Sequence, residues 1–286
     1  MTSCWPIRRT YIAPELTMRG SAFVWGARTY LMGIVNVTPD SFSGDGAGGD
    51  VPRAVEVALA MAAEGADIID IGAESSRPGA RPVDAAEELE RLLPPLRAIR
   101  AATGLPISVD TYRASVAETA LANGADAIND ISGLRADPAM ARVIAAAGAP
   151  LFAMHNQRGR EHHDVASDIL SGFEVTIGLA GIAGIDPARV VLDPGFGFGW
   201  TAAQNLEMVR RLPELWGLKL PLLVGPSRKS TIGTVLGEAP VGQRLEGTAG
   251  AVAASVAAGA DIVRVHDVAE MRRMLTVLDA VVRGWP

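Results

Sequence analysis

The chain has 286 residues, 49% of them hydrophobic and 20% charged, with a formal net charge of −6 and a pI near 5.3. That length suffices for a large core and is ordinary for one α/β barrel, while the acidic balance offers no basic footprint for nucleic acid. A single cysteine, Cys4, excludes an intrachain disulfide and a cysteine-rich metal cluster, and it suits a reducing compartment.

Residues 1–20 carry Arg8 and Arg9 but lack the continuous apolar core of a signal peptide. The uncharged stretch at residues 247–260 is shorter than the roughly 20 apolar residues a membrane span needs. The expectation is a cytoplasmic protein with no membrane segment. Residues 1–28 form an N-terminal extension, and residues 21–30 (SAFVWGARTY) predict a short hairpin turning at Gly26. Phe23 and Trp25 of that hairpin could plug the base of a barrel. The preferred reading is an ordered extension without a function of its own.

Eight apolar runs follow, at residues 29–37, 66–72, 106–111, 127–132, 150–155, 190–195, 221–226 and 261–266, each followed by an Ala/Leu/Glu/Arg segment of helical period. Near-continuous apolar character is what a parallel strand covered on both faces requires. Eight such units predict a (β/α)8 TIM barrel spanning the chain as one domain, 1–286. A doubly wound open sheet is the competitor; it needs fewer strands and a GxGxxG turn, which is missing after the first run.

In such a barrel the reacting groups sit at the C-terminal strand ends. Here the runs end on Asn36, on Glu74 with Arg77 just beyond, on Asp110, and on Asn129 with Asp130. Then come His155, Asp193, Lys229 just beyond its run, and Arg264 with His266. Singly, a strand-end Asp or Asn caps a turn. Eight together predict an active site, because buried polar groups destabilise unless paired. Asp110, Asn129 and Asp193 suit the edge of a flat nitrogen heterocycle, since carboxylates accept from ring N–H groups and an amide both donates and accepts. Glycoside hydrolysis by paired acids is the alternative, but it wants aromatic platforms that a chain with 5% aromatics does not place at its strand ends. Arg264 and His266 alternate on the last strand and so project to one side. With Arg77 they form a cationic cluster suited to phosphate or diphosphate.

Two Gly-rich segments, residues 36–50 and 72–82, carry Asn36, Thr38, Asp40, Ser76 and Arg77 and are expected to act as lids. Residues 225–233 place Ser227 and Ser230 near a helix N-terminus, where backbone N–H groups favour an anion. Lys229 is one of only two lysines among 26 basic residues, which points to a compact ammonium where a guanidinium would not fit. The adjacent His162 and His163 lack a third ligand and read as a solvated loop.

These residues stand in segments that, in order, carry a family resemblance: GIVNVTPDSFS (33–43), GAESSRPGA (72–80), SVDTYRASVA (108–117), INDISG (128–133), VVLDPGFGFG (190–199), GPSRKS (225–230) and RVHDV (264–268). From residue 31 to about 282 the chain resembles the dihydropteroate synthases. The resemblance implies a transferase of folate biosynthesis. It would join 6-hydroxymethyl-7,8-dihydropterin diphosphate to p-aminobenzoate, releasing 7,8-dihydropteroate and pyrophosphate with help from Mg²⁺. It implies that Asp110, Asn129, Asp193 and Lys229 bind the pterin, and that Asn36, Arg77, Arg264 and His266 take the diphosphate, with Asn36 also ligating the metal. It puts p-aminobenzoate, with which sulfonamides compete, among Ser76, Arg77, Pro78, Phe198, Lys229 and Ser230. Asp40, Ser41 and Phe42 fall in the first lid, and the family is usually homodimeric through its outer helices.

The expected catalytic set is Asp110, Lys229, Arg264 and His266. Departure of diphosphate leaves a delocalised pterin cation that an anionic Asp110 would stabilise, while Arg264, His266 and Mg²⁺ take up charge on the leaving group. The chain departs from the family pattern at Trp200, where a Lys is usual, and at Asn156 and Arg158, which alter the Met-x-Gly part of an MHMQG segment. Thr231 replaces a larger apolar residue, and the first loop has an extra residue near Gly44. Trp200 either reshapes the p-aminobenzoate pocket beside Phe198 or is a lid-edge or dimer-surface aromatic. Two alternatives stay open. A methyltetrahydrofolate:corrinoid methyltransferase shares the Asp/Asn pterin site but has no reason to keep the SRKS loop or the Arg264/His266 pair. A non-catalytic pterin-binding paralogue would keep the pocket without the chemistry.

Overall fold

Each of the eight apolar runs forms a strand in the computed structural model, which describes residues 13–38, 50–75 and 81–284. A two-stranded hairpin, β1 (Leu16–Met18) and β2 (Ser21–Phe23), precedes β3 (Tyr30–Asn36), α1 (Val51–Ala63), β4 (Ile68–Gly72), α2 (Ala85–Ala102), β5 (Ile107–Asp110), α3 (Ala114–Ala122) and β6 (Ala127–Asp130). The alternation continues through α4 (Met140–Ala147), β7 (Leu151–Met154), α5 (Val165–Ala183), β8 (Val190–Asp193), α6 (Ala202–Arg211), β9 (Leu223–Val224), α7 (Ser230–Val235), α8 (Leu245–Ala257), β10 (Ile262–Val265) and α9 (Val268–Arg283). The eight strands pair in parallel in the spatial order β8-β7-β6-β5-β4-β3-β10-β9. A parallel bridge from Leu192 to Leu222, with Leu192 N–H donating to the Pro221 carbonyl at 2.9 Å, closes the ring. This is the expected (β/α)8 TIM barrel. β9 is shorter than its apolar run because Pro221 and Pro226 bracket it and neither has an N–H to give a ladder.

The strands bury both faces, and the period of two sorts their side chains. Leu31, Val35, Ile69, Ile71, Val109, Ile128, Leu192 and Val263 pack outward against the helices. Met32, Ile68, Ala127, Phe152, Val191, Leu223 and Ile262 pack inward at the N-terminal end. Two residues beyond Ile68, Ala127, Val191 and Ile262, the inward line continues through Asp70, Asn129, Asp193 and Arg264, and Ser108 of β5 joins them by its bond to Asp70. The barrel is therefore apolar at its base and polar above it. Asp50, Asp84, Asp164 and Thr201 cap the first turns of α1, α2, α5 and α6. Helix α5 has the length and hydropathy of a membrane span, but its Ile169, Phe173 and Ala180 are buried in the outer core.

The N-terminal extension differs from expectation in two ways. The hairpin turns at Arg19–Gly20, both in the left-handed region, pairing Leu16 with Phe23 and Met18 with Ser21. Gly26 serves a separate turn leading into β3. Alternating burial of Leu16 and Met18 fixes this register. The hairpin also plugs the base: Leu16, Met18, Phe23 and Trp25 join the inward-facing Met32, Phe152 and Ile262 in one cluster. The rings of Phe23, Trp25 and Tyr30 lie with centroids 4.8–6.2 Å apart, and Trp25 Nε1 donates to the Pro14 carbonyl at 2.8 Å. Burial of each of these aromatics stabilises by roughly 1.5–3 kcal/mol, so the extension is part of the core and not an appendage.

Candidate active site

Asp70, in the middle of β4 and fully buried, organises the polar level of the barrel. Its Oδ2 accepts from Arg264 Nε at 2.6 Å and from Asn129 Nδ2 at 3.1 Å, and its Oδ1 accepts from the Ser108 hydroxyl. A terminal nitrogen of Arg264 reaches Asp110 Oδ2 at 3.3 Å. Strands β4, β5, β6 and β10 thus bring Asp70, Ser108, Asp110, Asn129 and Arg264 into one network. Burial works against the guanidinium charge, but Asp70 and Asp110 outweigh it and hold Arg264 more firmly protonated than usual. Burial pushes the Asp110 carboxyl up, with Arg264 opposing and Asp70 reinforcing the rise.

Across the barrel, Asp193 at the end of β8 and Phe198 in the loop after it face Lys229. Asp193 Oδ1 accepts from Gly195 N–H at 2.8 Å; burial raises its carboxyl and Lys229 opposes the rise. Lys229 donates to the Phe196 carbonyl and holds its Nζ 4.3 Å from the Phe198 ring centroid. Burial lowers the ammonium to about 7 against the pull of Asp193. Gly197 has φ +83°, and a Cβ there would lie 2.5 Å from Lys229 Cδ, so the loop leaves Lys229 a slot with no room to spare. Asn205, buried on α6, ties this loop to α7. It accepts from Gly197 N–H at 2.6 Å and donates to the Trp200 carbonyl and to Thr231 Oγ1, the latter at 2.9 Å. The hydroxyl at position 231, where a larger apolar residue is usual, is therefore an acceptor for Asn205.

At the rim, Ser227 Oγ lies 3.0 Å from His266 Nδ1 and accepts from the His266 backbone N–H at 3.1 Å. Asn36 and Asp110 flank Gly72: a Cβ on that glycine would stand 3.7 Å from Asn36 Oδ1 and 3.7 Å from Asp110 Cβ. Ser230 is exposed at the start of α7. Arg228 in the same loop pairs with Asp267 at 2.6 Å. Among the described residues no group of three His, Cys, Asp or Glu side chains could hold a metal ion. Asn36 offers a hard oxygen donor, which fits a magnesium ion that takes its other ligands from substrate phosphates and water.

Three strand-end residues belong elsewhere. His155 packs away from the interior against Gly172 and Phe173 of α5, with Nε2 2.9 Å from Gln157 Oε1. Burial lowers it to about 4, so it is neutral. Asp130 accepts from the backbone N–H groups of Ser132 and Leu134 and shapes the turn after β6. Glu74, past the end of β4, pairs with Arg113, which also holds the buried Glu88. Trp200 is neither lid edge nor surface: it is 8% exposed, with its ring centroid 5.8 Å from His155 and 5.7 Å from His162. His162 and His163 both lean on Asp168. Asp40, Ser41 and Phe42, together with Ser76, Arg77, Pro78 and the extra residue near Gly44, lie outside the described residues.

Asp70 and Ser108 lie outside the expected site residues because they stand in the middle of β4 and β5 and not at a strand end. The sequence held a signal: each is a polar residue inside an apolar run, on the same parity as Gly72 and Asp110.

The sequence profile of the family described as "pterin binding enzyme" matches residues 32–266. A dihydropteroate synthase of Synechocystis sp. is 45% identical over 280 residues, covering 96% of this chain and 97% of that one. A Clostridium difficile dihydropteroate synthase solved in the presence of pteroic acid superposes with a TM-score of 0.86 at 46% identity, covering 91% of this chain and 98% of its own. The Xanthomonas albilineans enzyme solved with 4-aminobenzoic acid gives a TM-score of 0.89 at 41% identity, covering 96% and 100%.

Proposed function

Because the chain belongs to the pterin-binding enzymes, as a member of the dihydropteroate synthases, we propose that its polar barrel level performs that family's condensation. The enzyme joins 6-hydroxymethyl-7,8-dihydropterin diphosphate to p-aminobenzoate, forming 7,8-dihydropteroate and pyrophosphate. One observation carries the assignment of roles: Arg264 bridges Asp70 and Asp110 inside the barrel, beside Asn129 and opposite Asp193 and Lys229.

Asp110, Asn129, Asp193 and Lys229 read the edge of the pterin, whose ring nitrogens and amino group match two carboxylates, an amide and an amine. Arg264, His266 and Asn36 receive the diphosphate at the rim, joined by Arg77 from the second loop. The diphosphate competes with Asp110 for the Arg264 guanidinium, and the carboxylate so released faces the carbon where positive charge develops. The C–O bond to diphosphate breaks with its electron pair leaving on oxygen. The lone pair of the arylamine then forms the C–N bond, and the proton it sheds passes to solvent or pyrophosphate. The neutral arylamine needs no strong base. Mg²⁺ held by Asn36 and the diphosphate oxygens would supply positive charge for the leaving group. Asp40, Ser41 and Phe42 would shield the reaction from water, and Ser76, Pro78, Phe198 and Ser230 would hold the p-aminobenzoate, with which sulfonamides compete. A homodimer and a cytoplasmic location complete the reading.

Pyrophosphate release measured with and without p-aminobenzoate tests the function. Release that depends on p-aminobenzoate supports the synthase, and pterin binding without release would make the chain a non-catalytic paralogue. Asp110→Asn is expected to cut turnover about 100-fold while weakening calorimetric pterin affinity far less. An unchanged rate would remove Asp110 from the cation-stabilising role.

A further inference from the structure

Asn205 stands on α6 and takes no part in the chemistry above, yet it is 1% exposed and its amide is engaged at both ends. Oδ1 accepts from Gly197 N–H at 2.6 Å. Nδ2 donates to Thr231 Oγ1 and the Thr201 carbonyl, each at 2.9 Å, and to the Trp200 carbonyl at 3.2 Å. The acceptor end matters because Gly197 N–H belongs to the same peptide unit as the Phe196 carbonyl, to which Lys229 Nζ donates. A trans peptide is planar and points its N–H and C=O in opposite directions. The bond to Asn205 on one side therefore aims the carbonyl at the ammonium on the other. Glycine at φ +83° leaves this unit free to turn, so the tie to Asn205 is what fixes its direction.

The donor end completes a ring. Thr231 lies two residues after Lys229, in the first turn of α7, so one amide holds both the loop that meets the ammonium and the helix that begins beside the lysine. We infer that Asn205 is a positioning residue, setting the direction of the Lys229 ammonium through the 196–197 peptide. This rests on the functional reading above for what the ammonium does, though not for how it is held. Burial, the largest influence, lowers that ammonium to about 7; Asp193 and Asp110 oppose the fall, while Arg264 and Arg158 add to it. A substitution at 205 leaves all four neighbours in place, so what it alters is the burial.

Two readouts on the full chain test this, for wild type, Asn205→Leu, Lys229→Gln and the double variant. The first is kcat for pyrophosphate release with p-aminobenzoate. Asn205→Leu is expected to lower it about tenfold, and the double variant to fall no further than Lys229→Gln alone, because Asn205 acts through the lysine. The second is the pH midpoint of Lys229 modification by an amine-directed reagent, read by peptide mapping with the exposed Lys219 as reference. Asn205→Leu should raise that midpoint by at least about one pH unit, as the released amine swings out to solvent. Thr231→Val, which cuts the donor end alone, should raise it by less, and Thr231→Ser should restore it; this pair carries the test if Asn205→Leu does not fold. Losses in kcat that multiply in the double variant, or a midpoint unmoved in Asn205→Leu or in Thr231→Val, mark a merely structural role and overturn the proposal. A wild-type chain that releases no pyrophosphate refutes the functional reading, while the labelling still decides whether Asn205 places the lysine.

Discussion

Replacing Asp70 by asparagine exchanges one carboxylate oxygen for an amide nitrogen at a point where three donors converge. The Ser108 hydroxyl, Asn129 Nδ2 at 3.1 Å and Arg264 Nε at 2.6 Å all need an acceptor there. Asparagine keeps one oxygen, so at least one donor meets an NH₂ group. Arg264 is left with Asp110 alone, at 3.3 Å. Removing one partner of a buried ion pair costs about 3–5 kcal/mol. The lower end applies here, because Asp110 retains part of the pairing and Arg264 keeps 18% of its side chain exposed. The expected loss is about 3 kcal/mol, or a fall in Tm of about 5 °C. Urea unfolding at pH 7, followed by the fluorescence of the chain's five tryptophans, measures it. Adding Arg264→Met to Asp70→Asn should return part of the stability, since the second change removes the stranded charge. A loss below about 1 kcal/mol for the single variant, or no recovery in the double, would refute Asp70 as the organiser of the polar level.

Two further outcomes follow from burial. Lys229, lowered to about 7, should react with an amine-directed reagent with a half-maximal rate near pH 7, read by peptide mapping; a midpoint above pH 9 would contradict the packed slot. His155, lowered to about 4 from 6.5, binds fewer protons folded than unfolded between those values, so stability rises with pH across that window and is lost as the solution is acidified through it. About 3 kcal/mol of stability should disappear between pH 6.5 and 4, and His155→Gln should flatten that part of the urea-midpoint profile.

The barrel was legible in the sequence because a strand buried on both faces leaves a continuous apolar run, and eight such runs with intervening helices have few other solutions. The hairpin was misplaced because Gly20 and Gly26 both adopt positive φ and both look like turns. What decides between them is the burial of Leu16 and Met18 against a barrel that the local sequence does not show. The strand-end rule pointed to Asp110, Asn129, Asp193, Lys229, Arg264 and His266, which the fold gathers at the polar end of the barrel. Parity then separates Asn129 from Asp130, since adjacent residues on a strand face opposite sides. Parity likewise turns His155 outward onto α5 and brings Asp70 inward, although Asp70 stands well short of the strand's end. The side of the loop on which Trp200 packs depends on His155 and His162, distant in sequence, and no local pattern encodes it.

The hairpin gives the barrel a floor. Phe23 and Trp25 pack with Met32, Phe152 and Ile262 and close the far end, so the polar level is approached from the other end alone. A single opening then has to serve both entry and departure.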